Sequence, residues 1–168
     1  AHVLKTTLHY FRYLEYFSLF LIVYSSISKP KDVKILLTTI VLSLSAISVY
    51  GYGQKYHYWP VYSTMNREFS KGIRLYLTEH ARVQSTFAGH YDLAAYLVIV
   101  LPIILALAYG SKKRVFKTGL FFLQILGSWL LIMSAARTSF AAYGIATAIV
   151  IVLFGWKQKK IWPKISWM

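Results

Sequence analysis

Apolar residues in this chain come in runs of bilayer-spanning length, and the charges collect between the runs. A membrane helix needs about 20 mostly apolar residues to cross roughly 30 Å of hydrocarbon. Five stretches approach that length, at about 8–27, 33–49, 91–109, 118–136 and 138–156. A soluble domain of this size would instead show apolar stripes separated by polar faces. Hydrophobic residues make up 57% of the 168 and charged residues only 14%, beyond the usual balance of soluble domains. The expected fold is therefore all-α: a polytopic transmembrane bundle of about five spanning helices in a single membrane domain, residues 1–168.

The spans differ in character. The first is rich in aromatics (Tyr10, Phe11, Tyr13, Tyr16, Phe17) and carries Arg12 and Glu15, three apart and able to pair on a helix. Pro30, with the charges around it from Lys29 to Asp32, breaks the chain before the second span. The second is rich in β-branched residues and serine, yet its unbroken apolar run favours a membrane helix over a strand. Pro102 lies inside the third, where neighbouring helices can resatisfy the freed carbonyl. The fifth holds small residues, with Ala142/Ala146 and Gly144/Ala148 as small-xxx-small pairs; these predict tight packing in the bundle.

The net charge of +14 does not point to nucleic acid. The basic residues form clusters beside spans (Lys29/Lys31/Lys34, Lys112/Lys113/Arg114/Lys117, Lys157/Lys159/Lys160/Lys164) rather than one basic face with stacking aromatics. Alternation puts all three clusters on one side, which the positive-inside rule makes cytoplasmic. Segment 55–90 and the short turn at 136–138 then face outward together. With no cysteine, disulfides, thiolate metal sites and cysteine nucleophiles are excluded. No signal peptide is visible, and both ends read as cut from something longer.

The outward segment mixes aromatics (Tyr56, Tyr58, Trp59, Tyr62) with charges (Arg67, Glu68, Lys71, Arg74, Glu79, Arg82). Leu75, Leu77 and nearby rings suggest that part of it lies on the membrane as an interfacial helix. Two arginines ask for more. Arg82 leads a polar approach to the third span, and Arg137 sits between two apolar stretches. An arginine at such a position costs up to roughly 2.5–3.5 kcal/mol if central, so it has a partner or a task. Either Glu79 or Asp92 pairs with these guanidiniums, or the two converge on a phosphate or diphosphate through bidentate hydrogen bonds. Thr86, His90 and Ser139 are neutral hydrogen-bonding neighbours. The histidines at 2, 9, 57, 80 and 90 match no metal-ligand spacing, and there is no nucleotide-binding loop or nucleophile elbow. No cofactor or metal is expected, and no catalytic residue is assigned.

The stretch from Arg82 to Leu97, including Ser85-Thr86-Phe87-Ala88-Gly89-His90-Tyr91-Asp92, resembles the "R-x-x-G/S-T-F … A-x-x-L" pattern of the O-antigen ligase/polymerase family. Met133-Ser134-Ala135-Ala136-Arg137-Thr138-Ser139-Phe140 is similar to that family's "S-x-S-R-x-x" turn, and the run from Pro60 to Gly72 resembles the same group. Ala136 stands where serine is common and Ser85 where glycine is common. The resemblance implies a GT-C-like, metal-independent inverting glycosyltransferase. Such proteins transfer a glycan from an undecaprenyl-diphosphate carrier to an acceptor at the outer face of the bacterial inner membrane. By that likeness Arg82 and Arg137 take the diphosphate. The family's histidine base, in a large later outer loop, has no counterpart among the five histidines, so the chain is expected to be a membrane fragment inactive alone. Two other readings are a transporter or flippase of lipid-linked glycans, which predicts broken helices and repeat symmetry, and a non-catalytic membrane scaffold, which has no use for Arg137.

Overall fold

The computed structural model describes residues 3–62 and 73–165. Five helices follow in order: α1 Val3–Ser26, α2 Pro30–Tyr56, α3 His90–Gly110, α4 Arg114–Met133 and α5 Arg137–Ile165. No strand occurs among the described residues; a single isolated bridge pairs Val61 with Leu75. The helices α2 to α5 each contain a segment long and apolar enough to cross a bilayer, in α5 from Arg137 to Trp156. Helix α1 is not among these candidate spans, because its first half carries His9, Arg12 and Glu15 among the aromatics. The Arg12 side chain, and all of Arg67, Glu68 and Lys71, lie outside the described residues.

The chain divides into two compact units, residues 1–40 and 41–168. In the first, α1 gives way to the start of α2. Ser25 and Ser26 turn their hydroxyls back onto the Ile22 carbonyl at 3.0 and 2.6 Å, and the Ile27 amide closes the end of α1 on the Val23 carbonyl at 3.2 Å. Asp32 accepts from the amides of Ser28 at 3.2 Å and Lys29 at 2.8 Å. With Pro30 as the first helical residue, Asp32 thus makes the returning half of a capping box. The charged Lys29–Asp32 stretch therefore starts α2 rather than merely interrupting the chain, and α2 extends beyond the expected 33–49 at both ends.

In the second unit α3 is the common partner, packing closely on both α4 and α5. Its Leu93, Leu97, Leu101, Ile104 and Ala108 recur at spacings of three or four and are fully buried. In lipid the hydrophobic effect does not drive one helix onto another, so close contact must. Glycines admit that contact at two places. Gly127 of α4 lies against Leu101 of α3, and Gly51 of α2 would place a Cβ 2.5 Å from the Leu130 Cδ1 of α4, while Gly53 seats the Trp59 ring of the segment that follows α2. The small-residue pairs of α5 do not play this part. Ala142, Gly144 and Ala148 are exposed, and a Cβ on Gly144 would meet nothing within 4 Å. The half-buried face of α5 is instead Tyr143, Ala146, Thr147, Val150 and Phe154, with Phe154 meeting the Tyr109 ring of α3 at 5.6 Å between centroids.

Among the described residues the segment between α2 and α3 contains no helix, which corrects the expectation of an interfacial helix around Leu75 and Leu77. The Val61 amide bonds to the Leu75 carbonyl at 2.7 Å, so this stretch satisfies its backbone across the segment rather than along a helix.

Candidate functional site

The segment leading to α3 is fastened to the ends of two helices. Gln54, on the last turn of α2, is wholly buried. Its Oε1 accepts from the Ser85 amide at 2.8 Å, and its Nε2 donates to the Ser85 carbonyl at 3.0 Å and the Pro60 carbonyl at 3.3 Å. The Ser85 hydroxyl donates to the Ile47 carbonyl at 2.7 Å, and the Tyr50 hydroxyl to the Pro60 carbonyl at 2.9 Å. Ser85 takes φ 53°, in the left-handed region that favours glycine. Two residues earlier, the Val83 amide donates to the Met133 carbonyl at 3.1 Å, at the end of α4. Lys55 adds a bond from Nζ to the Glu79 carbonyl at 2.5 Å.

This knot sets the stage for Arg82. One residue before buried Val83, the Arg82 side chain is exposed, and its Nη1 lies 2.9 Å from His90 Nε2. A guanidinium can only donate. The imidazole in this contact is therefore neutral, its ring proton on Nδ1. His90 is also the first residue of α3, with its ring 4.1 Å from that of Tyr91. Thr86 is exposed in the turn between them.

Arg137 is reached from the other side of the Val83–Met133 bond. Helix α4 ends at Met133, Ser134 and Ala135 close the turn with amide bonds to Leu130 and Ile132 carbonyls at 3.0 Å each, and α5 begins at Arg137. Ala135 adopts φ 51°. Arg137 is exposed at the rim of a groove of about 470 Å³ lined by Leu131, Ile132, Ala135, Ala136 and Phe140. No acidic residue occupies the first turn of α5, so the partial positive charge of the helix start adds to that of the guanidinium.

The structure thus brings Arg82 and His90 together. It ties the Arg82 segment to the end of α4, four residues before Arg137, and places Ser139 half-buried in the first turn of α5. Neither Glu79 nor Asp92 pairs with Arg137 among the described residues. Sequence reasoning missed Gln54, whose only signal was a lone amide among glycines at the end of an apolar run. It also missed the ring cluster of Tyr52, Tyr56 and Trp129, because Trp129 sits inside a span far along the chain.

Four helices of spanning length and apolar composition make this an integral membrane protein of the α-helical, polytopic kind. Comparison with protein-family models, with curated proteins and with solved structures gives no match.

Proposed function

We propose that the chain is membrane region of a glycosyltransferase of the O-antigen ligase kind. In this reading it moves a glycan from an undecaprenyl-diphosphate carrier to an acceptor at the outer face of the bacterial inner membrane, in a GT-C-like frame with α1 as a fifth span. The observation that carries the proposal is the arrangement at the end of α4. Arg82 is tethered there through Val83, Arg137 opens the next helix, and among the described residues no carboxylate pairs with Arg137. An exposed arginine beside an apolar groove suits a ligand with an anionic head and an apolar tail.

The chemistry follows from the charge. As a glycosyl group leaves, negative charge grows on the departing diphosphate. Fixed guanidiniums interact more strongly with that charge than with the intact donor, which lowers the barrier rather than only improving binding. His90, whose Nε2 accepts from Arg82 at 2.9 Å, orients one of the two guanidiniums.

The test is binding of a short polyprenyl diphosphate to the chain in lipid nanodiscs. Saturable binding, weakened about tenfold or more in each of Arg82→Gln and Arg137→Gln, supports the reading. Equal binding by the double variant removes it. Vectorial uptake of a lipid-linked glycan without transfer would favour the transporter instead.

A further inference from the structure

A second surface stands at the same end of the helices. Tyr52 and Tyr56, one turn apart on α2, have ring centroids 4.7 Å apart, and Trp129 of α4 lies 5.9 Å from each. The Tyr56 and Trp129 planes are inclined by only 24°. His57 adds a fourth ring 5.8 Å from Tyr52. Tyr52 and Tyr56 remain 47% and 52% exposed, although Gly51, Gly53 and Gln54 between and beside them are buried.

Two simpler roles compete for these rings. Interfacial aromatics commonly anchor a protein at the headgroup level. Yet α2 runs 27 residues, about 40 Å at 1.5 Å per residue, against roughly 30 Å of hydrocarbon. With Lys31, Asp32 and Lys34 at its charged start, only the final turn around Lys55 and Tyr56 reaches past the apolar slab, and the four rings gather on one another instead of spreading around the perimeter. A cationic ligand is the other candidate for aromatic faces. Lys55 stands within the same turn, Arg82 and Arg137 lie at the same end, and no acidic side chain is part of the ring set. That charge repels a quaternary ammonium. A neutral ligand with weakly positive C–H edges meets the negative ring faces without this penalty, and a pyranose offers such edges together with hydroxyls for the tyrosine O–H groups.

We infer that Tyr52, Tyr56 and Trp129 form a saccharide-stacking platform that holds the glycan of donor or acceptor beside the arginines. This rests on the glycosyltransferase reading for its biological role, but its test does not. The full chain is labelled with 5-fluorotryptophan, placed in nanodiscs, and titrated with free oligosaccharides built from hexoses, N-acetylhexosamines and 6-deoxyhexoses. The expected result is a saturable shift of the Trp129 fluorine resonance with at least one of these sugars. The affinity should fall about tenfold in Tyr52→Leu and Tyr56→Leu, and stay unchanged in Tyr10→Leu. Circular dichroism that matches the parent keeps the comparison fair. If no sugar moves Trp129, or if phosphocholine moves it equally, the rings are interfacial anchors and the inference is overturned. Sugar binding without polyprenyl diphosphate binding keeps the platform and removes the transferase; the reverse keeps the transferase and removes the platform.

Discussion

Gln54 and Ser85, 31 positions apart, exchange two hydrogen bonds through the Gln54 amide and the Ser85 backbone, at 2.8 and 3.0 Å. The side-chain amide acts as a substitute peptide group, so a segment outside any helix satisfies its backbone against α2. Both residues are buried, which makes loss of the pair expensive. Gln54→Leu strands the Ser85 amide and carbonyl, at about 1–3 kcal/mol for each buried group left unpaired. Thermal unfolding in detergent should show a clearly lowered midpoint. Gln54→Glu should be no better, because its second oxygen would face the Ser85 and Pro60 carbonyls.

Glycine positions give a sharper contrast. Leu101 and Leu130 are fully buried where Gly127 and Gly51 meet them, leaving little room to yield to a new methyl. Gly127→Ala and Gly51→Ala should each destabilise by about 1–3 kcal/mol. Gly144 and Gly119 have nothing within 4 Å of a built Cβ. There, alanine should be neutral or stabilising by up to about 1 kcal/mol through helix propensity. Denaturation of the four single variants, compared side by side, checks the ranking.

How far the sequence could be read follows the same physics. Run length and apolar character located the helices, since a membrane span shows itself in composition. It could not show that α2 continues to Tyr56. Gly51-Tyr52-Gly53-Gln54 looks like a stop until the glycines are seen to admit Leu130 and Trp59, and the glutamine to find Ser85. The end of α4 was hidden for the opposite reason, because Ala135 holds the left-handed position where glycine would have marked it. At the site, the two arginines were legible as isolated charges. His90 was legible as a neutral neighbour of the arginines, but its contact with Arg82 in particular joins residues at no helical spacing, so the pairing was not.

The left-handed residues make a test of their own. Ala135 is exposed at φ 51°, so Ala135→Gly relieves backbone strain and should raise stability by up to about 1 kcal/mol. Ser85 has φ 53° but also donates to the Ile47 carbonyl at 2.7 Å. Ser85→Gly exchanges strain relief for a lost buried bond and should come out near neutral. A large gain at Ser85 would mean that the hydroxyl contributes nothing.

Topology is open to direct measurement in this cysteine-free chain. The Val83–Met133 bond holds the segment before α3 at the end of α4, and Lys113 precedes the other end, 20 residues away, or roughly 30 Å. The positive-inside rule leads us to expect the Lys113 end on the cytoplasmic side. In intact cells Arg74→Cys should react with an impermeant maleimide and Lys113→Cys should not. The opposite pattern would invert the orientation and take the arginines away from the outer face.

The last prediction separates charge from shape at Arg137. Lysine keeps the positive charge but loses the planar fork that grips two oxygens at once. If Arg137 only balances charge at the membrane surface, Arg137→Lys should behave as the parent in every assay. If it holds a diphosphate, the variant should insert and fold normally, since the side chain is exposed and makes no ion pair among the described residues. Polyprenyl diphosphate affinity should nevertheless fall about tenfold, the equivalent of about 1.4 kcal/mol for lost bidentate geometry. Arg82→Lys should lose as much and in addition free His90, because the contact at 2.9 Å depends on the reach of the guanidinium. The His90 ring resonances should therefore move in Arg82→Lys and stay in place in Arg137→Lys. Undiminished affinity in both lysine variants would reduce the arginines to simple surface charge and remove the transfer mechanism, while leaving the helical membrane fold untouched.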